Sequence, residues 1–302
     1  AEKENETLKT EIADKDAEIV KLTEKNKKLA DAAAVEETAA AEKIETEATE
    51  IVNTAVVAGR ITEESKTVWI EKAKKTFHIA YGHTSHGSQI TTGMTGLVSF
   101  KGNLYAWNYG GANGALDIRD GNLGKAQDLG NPNRTEWAQT TRAYLNTHPE
   151  INVVMWSWCG QVSSATENDI NIYLDLMNKL ERDYPNVKFV YMTGHTDGTG
   201  LSGNLHIRNE QIRSYCIANN KVLYDFEDIE SYDPDGRYFG DKNVRDDCSY
   251  SGGNWAIEWQ NTHREGVDWY RCPSAHSQPL NANQKAYAAW HLWARLAGWN
   301  GR

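Results

Sequence analysis

Residues 5–29 carry apolar side chains at heptad spacing. Asn5, Ile12, Ile19 and Asn26 fall on one seam position, and Leu8, Lys15, Leu22 and Leu29 on the other. Ile at a and Leu at d, with Asn at a, favours a parallel two-stranded coil, so a coiled-coil helix that associates with a second copy is predicted. Residues 31–50 keep a helix-forming composition without the seam and read as a helical linker. Over 51–75 the pattern fits a helical hairpin. Gly59 suits a helix end and Thr62 a cap, with Val68, Trp69 and Ala73 expected to pack the hairpin on the body of the chain.

Past residue 75 the periodicity changes. Short β-rich apolar runs occupy 76–81, 104–108, 152–158, 187–193 and 222–226, and helical stretches lie at 135–146, 169–184, 209–219 and 281–296. Strands alternating with helices predict parallel βαβ units. The expected fold class is α/β: a three-layer α/β/α sandwich around a mostly parallel five-stranded sheet of flavodoxin-like kind. The expected division is 1–50 for stalk and linker, 51–75 for the hairpin and 76–302 for the α/β domain.

Charge supports that division. Of 42 acidic and 32 basic residues in 302, residues 1–50 hold 15 and 8; they contain no aromatic side chain, while all 11 Trp and all 4 Cys follow residue 68. No apolar run reaches the roughly 18 residues a membrane span needs. The net charge of −10 and the lack of Lys/Arg clusters argue against nucleic acid as a partner. No C-x-x-C spacing occurs, which removes a zinc ribbon.

In parallel sheets, reactive groups gather at the carboxyl ends of the strands. Here the first strand runs into Gly82-His83-Thr84-Ser85-His86-Gly87, the second into Asn108-Tyr109-Gly110, the third into Cys159-Gly160-Gln161 and the fourth into Gly194-His195-Thr196-Asp197. Cys272-Pro273-Ser274-Ala275-His276 precedes the last helix. A serine hydroxyl needs an imidazole to take its proton and preorganised donors for the oxyanion. Ser85 with His276 meets the first need; Gly110 and Gln161, with the Ser85 N–H, meet the second.

This order of blocks over residues 76–300 resembles the SGNH (GDSL-like) hydrolase superfamily. The resemblance implies a serine esterase with Ser85 as nucleophile, His276 as base, and Gly110 and Gln161 at the oxyanion. It departs at two places. Gln161 stands where the family has Asn, and Pro273 where it has the acid that orients the histidine. Asp268 is the nearest upstream substitute, and Asp197 the alternative.

His83, His86, His195 and Asp197 read as substrate-contacting groups; the alternative is a divalent metal site and a metal-dependent hydrolase. No cofactor is called for. Residues 237–275 form a long irregular insertion expected to wall the site, with Trp255 and Trp259 offering a flat face to a sugar ring. Cys248 and Cys272 flank it, and a disulfide there fits an extracellular or cell-surface protein. The expected function is therefore a secreted or surface-tethered esterase acting on a polysaccharide. A catalytically inactive carbohydrate-binding or structural head on the stalk is its rival.

Overall fold

Six parallel strands form the main sheet: β1 (His78–Gly82), β2 (Trp107–Asn108), β3 (Leu116–Gly121), β4 (Val153–Trp156), β5 (Lys188–Met192) and β6 (Val222–Tyr224), in the order β2-β3-β1-β4-β5-β6. The computed structural model describes residues 63–300. The predicted coiled coil, the linker and the first part of the hairpin lie outside the described residues.

The helices run α1 (Glu63–Thr76), α2 (Ser88–Lys101), α3 (Glu136–Thr147) and α4 (Glu167–Asp183). They continue as α5 (Asn204–Ala218), α6 (Phe226–Glu230), α7 (Trp255–Thr262) and α8 (Pro279–Leu296). Side chains alternate across the strands and sort into two cores. Ile79, Tyr81, Val153, Met155, Val190 and Met192 meet α1, α2 and α8 on one face. Ala80, Val154, Trp156, Phe189 and Tyr191 meet α3, α4 and α5 on the other. α4 shows why such helices form: Ile170, Tyr173, Leu174, Met177 and Leu180 make one buried stripe, and a Thr166–Asp169 capping box starts it.

Three expectations are corrected, the first being the strand count: the sheet has six strands rather than five, because Leu116–Gly121 adds one. The predicted strand at 104–108 shrinks to Trp107–Asn108 at the sheet edge, and β3 takes the place beside β1. β3 reads Leu-Asp-Ile-Arg-Asp, whose charges disguise a period-2 pattern: Leu116 and Ile118 enter the core. Asp117 is buried because Arg119, His78 and the Gly110 N–H all bond to it at 2.7–2.9 Å. In α1, Ile70 and Ala73 join the core and Trp69 packs against it, whereas Val68 is 63% exposed.

The insertion builds a third small core from Phe239, Val244, Cys248, Trp255, Trp269 and Leu280, beside the hairpin β7 (Ser249–Tyr250) and β8 (Gly253–Asn254). The expected Cys248–Cys272 bridge is not formed, because the two thiols point into different cores. Cys248 Sγ faces Ser277 Oγ at 3.5 Å, and Cys272 Sγ accepts from the Asn283 amide at 3.4 Å. No helix among the described residues is long and apolar enough to cross a membrane.

Candidate active site

From β1 the chain goes to β3 on one side, and β4 then pairs with β1 on the other. That reversal makes the carboxyl ends of β1 and β4 the switch point at which open α/β sheets bind ligands. Two glycines let the turn after β1 pack closely there. A Cβ on Gly82 would lie 2.2 Å from the Trp156 ring, and one on Gly87 would lie 2.2 Å from Ser157 Oγ. Tyr81 Oη donates to the Gly87 carbonyl at 2.9 Å and closes the turn. Ser85 and His86 are thereby held against Cys159, which comes just after β4.

His86 Nδ1 lies 3.3 Å from Cys159 Sγ, and His86 Nε2 donates to Asp246 Oδ2 at 3.0 Å. Ser85 Oγ reaches the same sulfur at 3.7 Å. The hydrogen bond from His86 pulls the Cys159 thiol down to about 7, against its burial. Burial alone would lower His86, yet the Asp246 and Cys159 hydrogen bonds lift it to about 9. Burial would raise Asp246, but the His86 hydrogen bond and the histidine charges hold it below the usual carboxylate range. Thiol, imidazole and carboxylate thus form one hydrogen-bonded chain, in which the contacts favour thiolate and imidazolium together.

Three brackets hold this chain in place. Buried Asp128 accepts from Thr84 Oγ1 at 2.6 Å, the Gly130 N–H at 2.8 Å and Gln161 Nε2 at 3.0 Å, tying the β1 and β4 turns together. Gln161 Oε1 in turn accepts the Cys159 N–H at 2.8 Å. A bridge between Asp197 and Arg245 docks the insertion on the β5 turn and delivers Asp246.

Two more imidazoles stack on His86: His195 at 3.7 Å between centroids, and His276 at 4.5 Å. His276 is exposed and has φ +62, a left-handed conformation that costs a non-glycine residue energy and recurs at active sites. His195 is 8% exposed, and burial pushes it down, towards the neutral form. Its Nδ1 faces the Thr196 carbonyl at 2.8 Å and so carries the proton. Behind it, Glu230 Oε2 accepts from the Thr196 N–H and Oγ1 at 2.7 and 2.9 Å, and Glu230 Oε1 pairs with fully buried Lys285 at 2.6 Å. Lys285 also donates to Gln89 of α2.

The predicted site residues divide accordingly. Ser85, His86, His195 and His276 come together, but no hydrogen bond joins Ser85 to His276 among the described residues; Ser85 turns to Cys159 instead. Asp268 is exposed and caps the Arg264 N–H at 2.8 Å. Gly110 sits beyond β3, two strands from β1, with its N–H donated to Asp117. Gln161 is a bracket rather than an oxyanion donor. His83 faces Asp120 at 2.6 Å and the Thr84 carbonyl at 3.0 Å. Asp197 bonds Thr199. Trp255 is 1% exposed in the third core, and Trp259 stacks on His263 at 3.6 Å while donating to Asp235. Both indoles are committed to packing the insertion.

Sequence patterns do not mark Cys159, Asp246, Asp128 or Glu230 as site residues. A cysteine directly after a central strand is the available signal for the first. The acids come from segments whose placement no local pattern announces.

Ligand atoms of His86, His195 and Asp246 lie within 4.8 Å of one another. A divalent ion fits them poorly. Imidazole lone pairs lie in the ring plane, these planes are nearly parallel and stacked 3.7 Å apart, and Zn–N bonds are about 2.0–2.1 Å. One ion cannot lie in both planes. No family, curated relative or solved structure matches this chain.

Proposed function

We propose that the chain is an acyl hydrolase working through a cysteine thiolate: Cys159 attacks the acyl carbonyl, His86 gives its proton to the leaving group, and Asp246 holds His86 in register. The observation that carries this reading is the chain Cys159–His86–Asp246, with contacts of 3.3 and 3.0 Å, at the strand ends where the strand order reverses. An imidazole between a thiol and a carboxylate is the arrangement that activates cysteine nucleophiles. A sheet with β1 in its interior and turns rich in Ser, His and Gly also supports the SGNH-like reading of residues 76–300.

A second reading keeps Ser85 as nucleophile, with His276 as base. It is favoured by both residues lying in the same cluster, through their contacts with Cys159 and His86. An ester remains the proposed substrate. Its carbohydrate part, the extracellular or surface setting and self-association through residues 1–50 stay proposals drawn from the sequence.

Kinetics on a simple aryl ester separate the two nucleophiles. Cys159→Ala is expected to reduce turnover to background. Ser85→Ala should lose roughly tenfold, the worth of one hydrogen bond of about 1–1.5 kcal/mol. The reverse ranking would establish the serine reading and reject the thiol.

A further inference from the structure

Among the described residues, the Nε2 atom of His195 is a buried nitrogen without a hydrogen-bond partner. Its identity as an acceptor is fixed. The Thr196 carbonyl can only accept, so Nδ1 holds the proton and Nε2 holds the lone pair. The tautomer is enforced from behind, since Glu230 binds both the N–H and the hydroxyl of Thr196, and Lys285 binds Glu230. Such an atom costs free energy unless something donates to it. It looks towards the reactive turn: a Cβ built on Gly160, the residue after Cys159, would lie 3.9 Å from it. The ring is stacked on His86 itself.

His86 and His195 differ in what they can do. His86 faces an acceptor at Asp246 and the sulfur at its other nitrogen, which suits an imidazolium that stabilises a thiolate and gives up a proton. His195 has an open lone pair, and its burial keeps the ring neutral. An acyl-thiol mechanism uses an acid when the alcohol leaves and a base when water attacks; one imidazole can serve both in turn, and here a second, neutral imidazole stands beside the first.

Resting on the thiol reading above, we propose that His195 is the second base of the reaction, taking the proton of the water that releases the acyl group from Cys159. In the first step the thiolate bonds to the acyl carbon, and the alcohol leaves with the proton of His86. A thioester remains beside a neutral His86. In the second, water loses a proton to His195 Nε2 as its oxygen bonds to the thioester carbon. The C–S bond breaks and the sulfur departs as thiolate. The acid product passes its proton to His86, restoring the imidazolium, and His195 releases its own to solvent. One ester and one water become an alcohol, a carboxylate and a proton.

The test uses the whole chain with p-nitrophenyl acetate, comparing wild type, His195→Ala and His195→Gln. Both variants should release one equivalent of nitrophenol per chain in a burst and then stall. Steady-state turnover should fall by about 10²–10⁴, the usual worth of a positioned base. Mass spectrometry of the stalled variants should find the acetyl group on Cys159, and added imidazole should restore turnover to His195→Ala. The burst itself reports an intact site. Turnover within about threefold of wild type, or loss of the burst together with turnover, would overturn the proposal while leaving Cys159 in place. If quenched wild type and variants never carry an acyl group on Cys159, the thiol reading fails, and the role of His195 with it.

Discussion

Cys159 Sγ and His86 Nδ1 lie 3.3 Å apart although 73 residues separate them in the chain. The contact reverses the order in which the two groups titrate. An ordinary thiol ionises near 9.0 and an ordinary imidazole loses its proton near 6.5, so an uncoupled pair would hold little thiolate and imidazolium together. Here the thiol falls to about 7 and the imidazole rises to about 9.

The pH profile of turnover should reflect those two values. Activity is expected to rise through about 7 as Cys159 ionises, hold between them, and fall through about 9 as His86 loses its proton. kcat/KM of the free enzyme against a neutral ester checks this. A profile that keeps rising past the upper limit would show that the imidazolium is not needed.

Asp246 gives a prediction about orientation. Asp246→Asn removes the carboxylate that accepts from His86 Nε2 and favours the wrong tautomer. In serine-protease triads the same change costs about 10⁴ in kcat, and a loss of orders of magnitude with unchanged Tm is expected here. A loss below tenfold would make Asp246 a packing residue.

Gln161 and Asp128 should act through Cys159 rather than on substrate. Gln161→Ala frees the Cys159 N–H and removes one tie to Asp128. The expected result is a fall in kcat with KM little changed, because the nucleophile is misplaced while the rest of the site stays intact. A rise in KM alone would restore Gln161 as a substrate contact.

The Glu230–Lys285 pair is predicted to matter most for stability. Lys285→Met leaves a fully buried carboxylate without its cation, at a cost of about 3–5 kcal/mol. Lys285→Met with Glu230→Gln should recover most of that loss, since the glutamine oxygen still accepts from Thr196. Denaturant unfolding measures both, and a double variant no better than the single would mean the pair contributes nothing as a pair.

Much of the scaffold was legible in the sequence. Continuous apolar runs such as Val153–Trp156 and Phe189–Met192 announce buried parallel strands, and the stripe in α4 announces a covering helix. β3 escaped because its alternation is broken by Asp117 and Arg119, and the burial of Asp117 depends on partners elsewhere in the chain. The site was legible only by location. Strand-end turns marked Ser85, His86 and His195, and the block before the last helix marked His276, but which groups touch was decided by the glycines at 82 and 87 and by an insertion that delivers Asp246. The tryptophans misled for a related reason: an irregular segment of that length needs a core of its own, and Trp255 and Trp269 form it.

The most direct test of the central claim is the ultraviolet titration of thiolate per chain. Burial pushes Cys216 and Cys248 up to about 12 and Cys272 up to about 11, so Cys159 alone should ionise in the neutral range. The expected result is a single step of one thiolate per chain centred at about 7, absent in Cys159→Ala and moved upward in His86→Gln. A wild-type protein that shows no thiolate until well above pH 9 would contradict the ion pair, and with it the assignment of Cys159 as nucleophile.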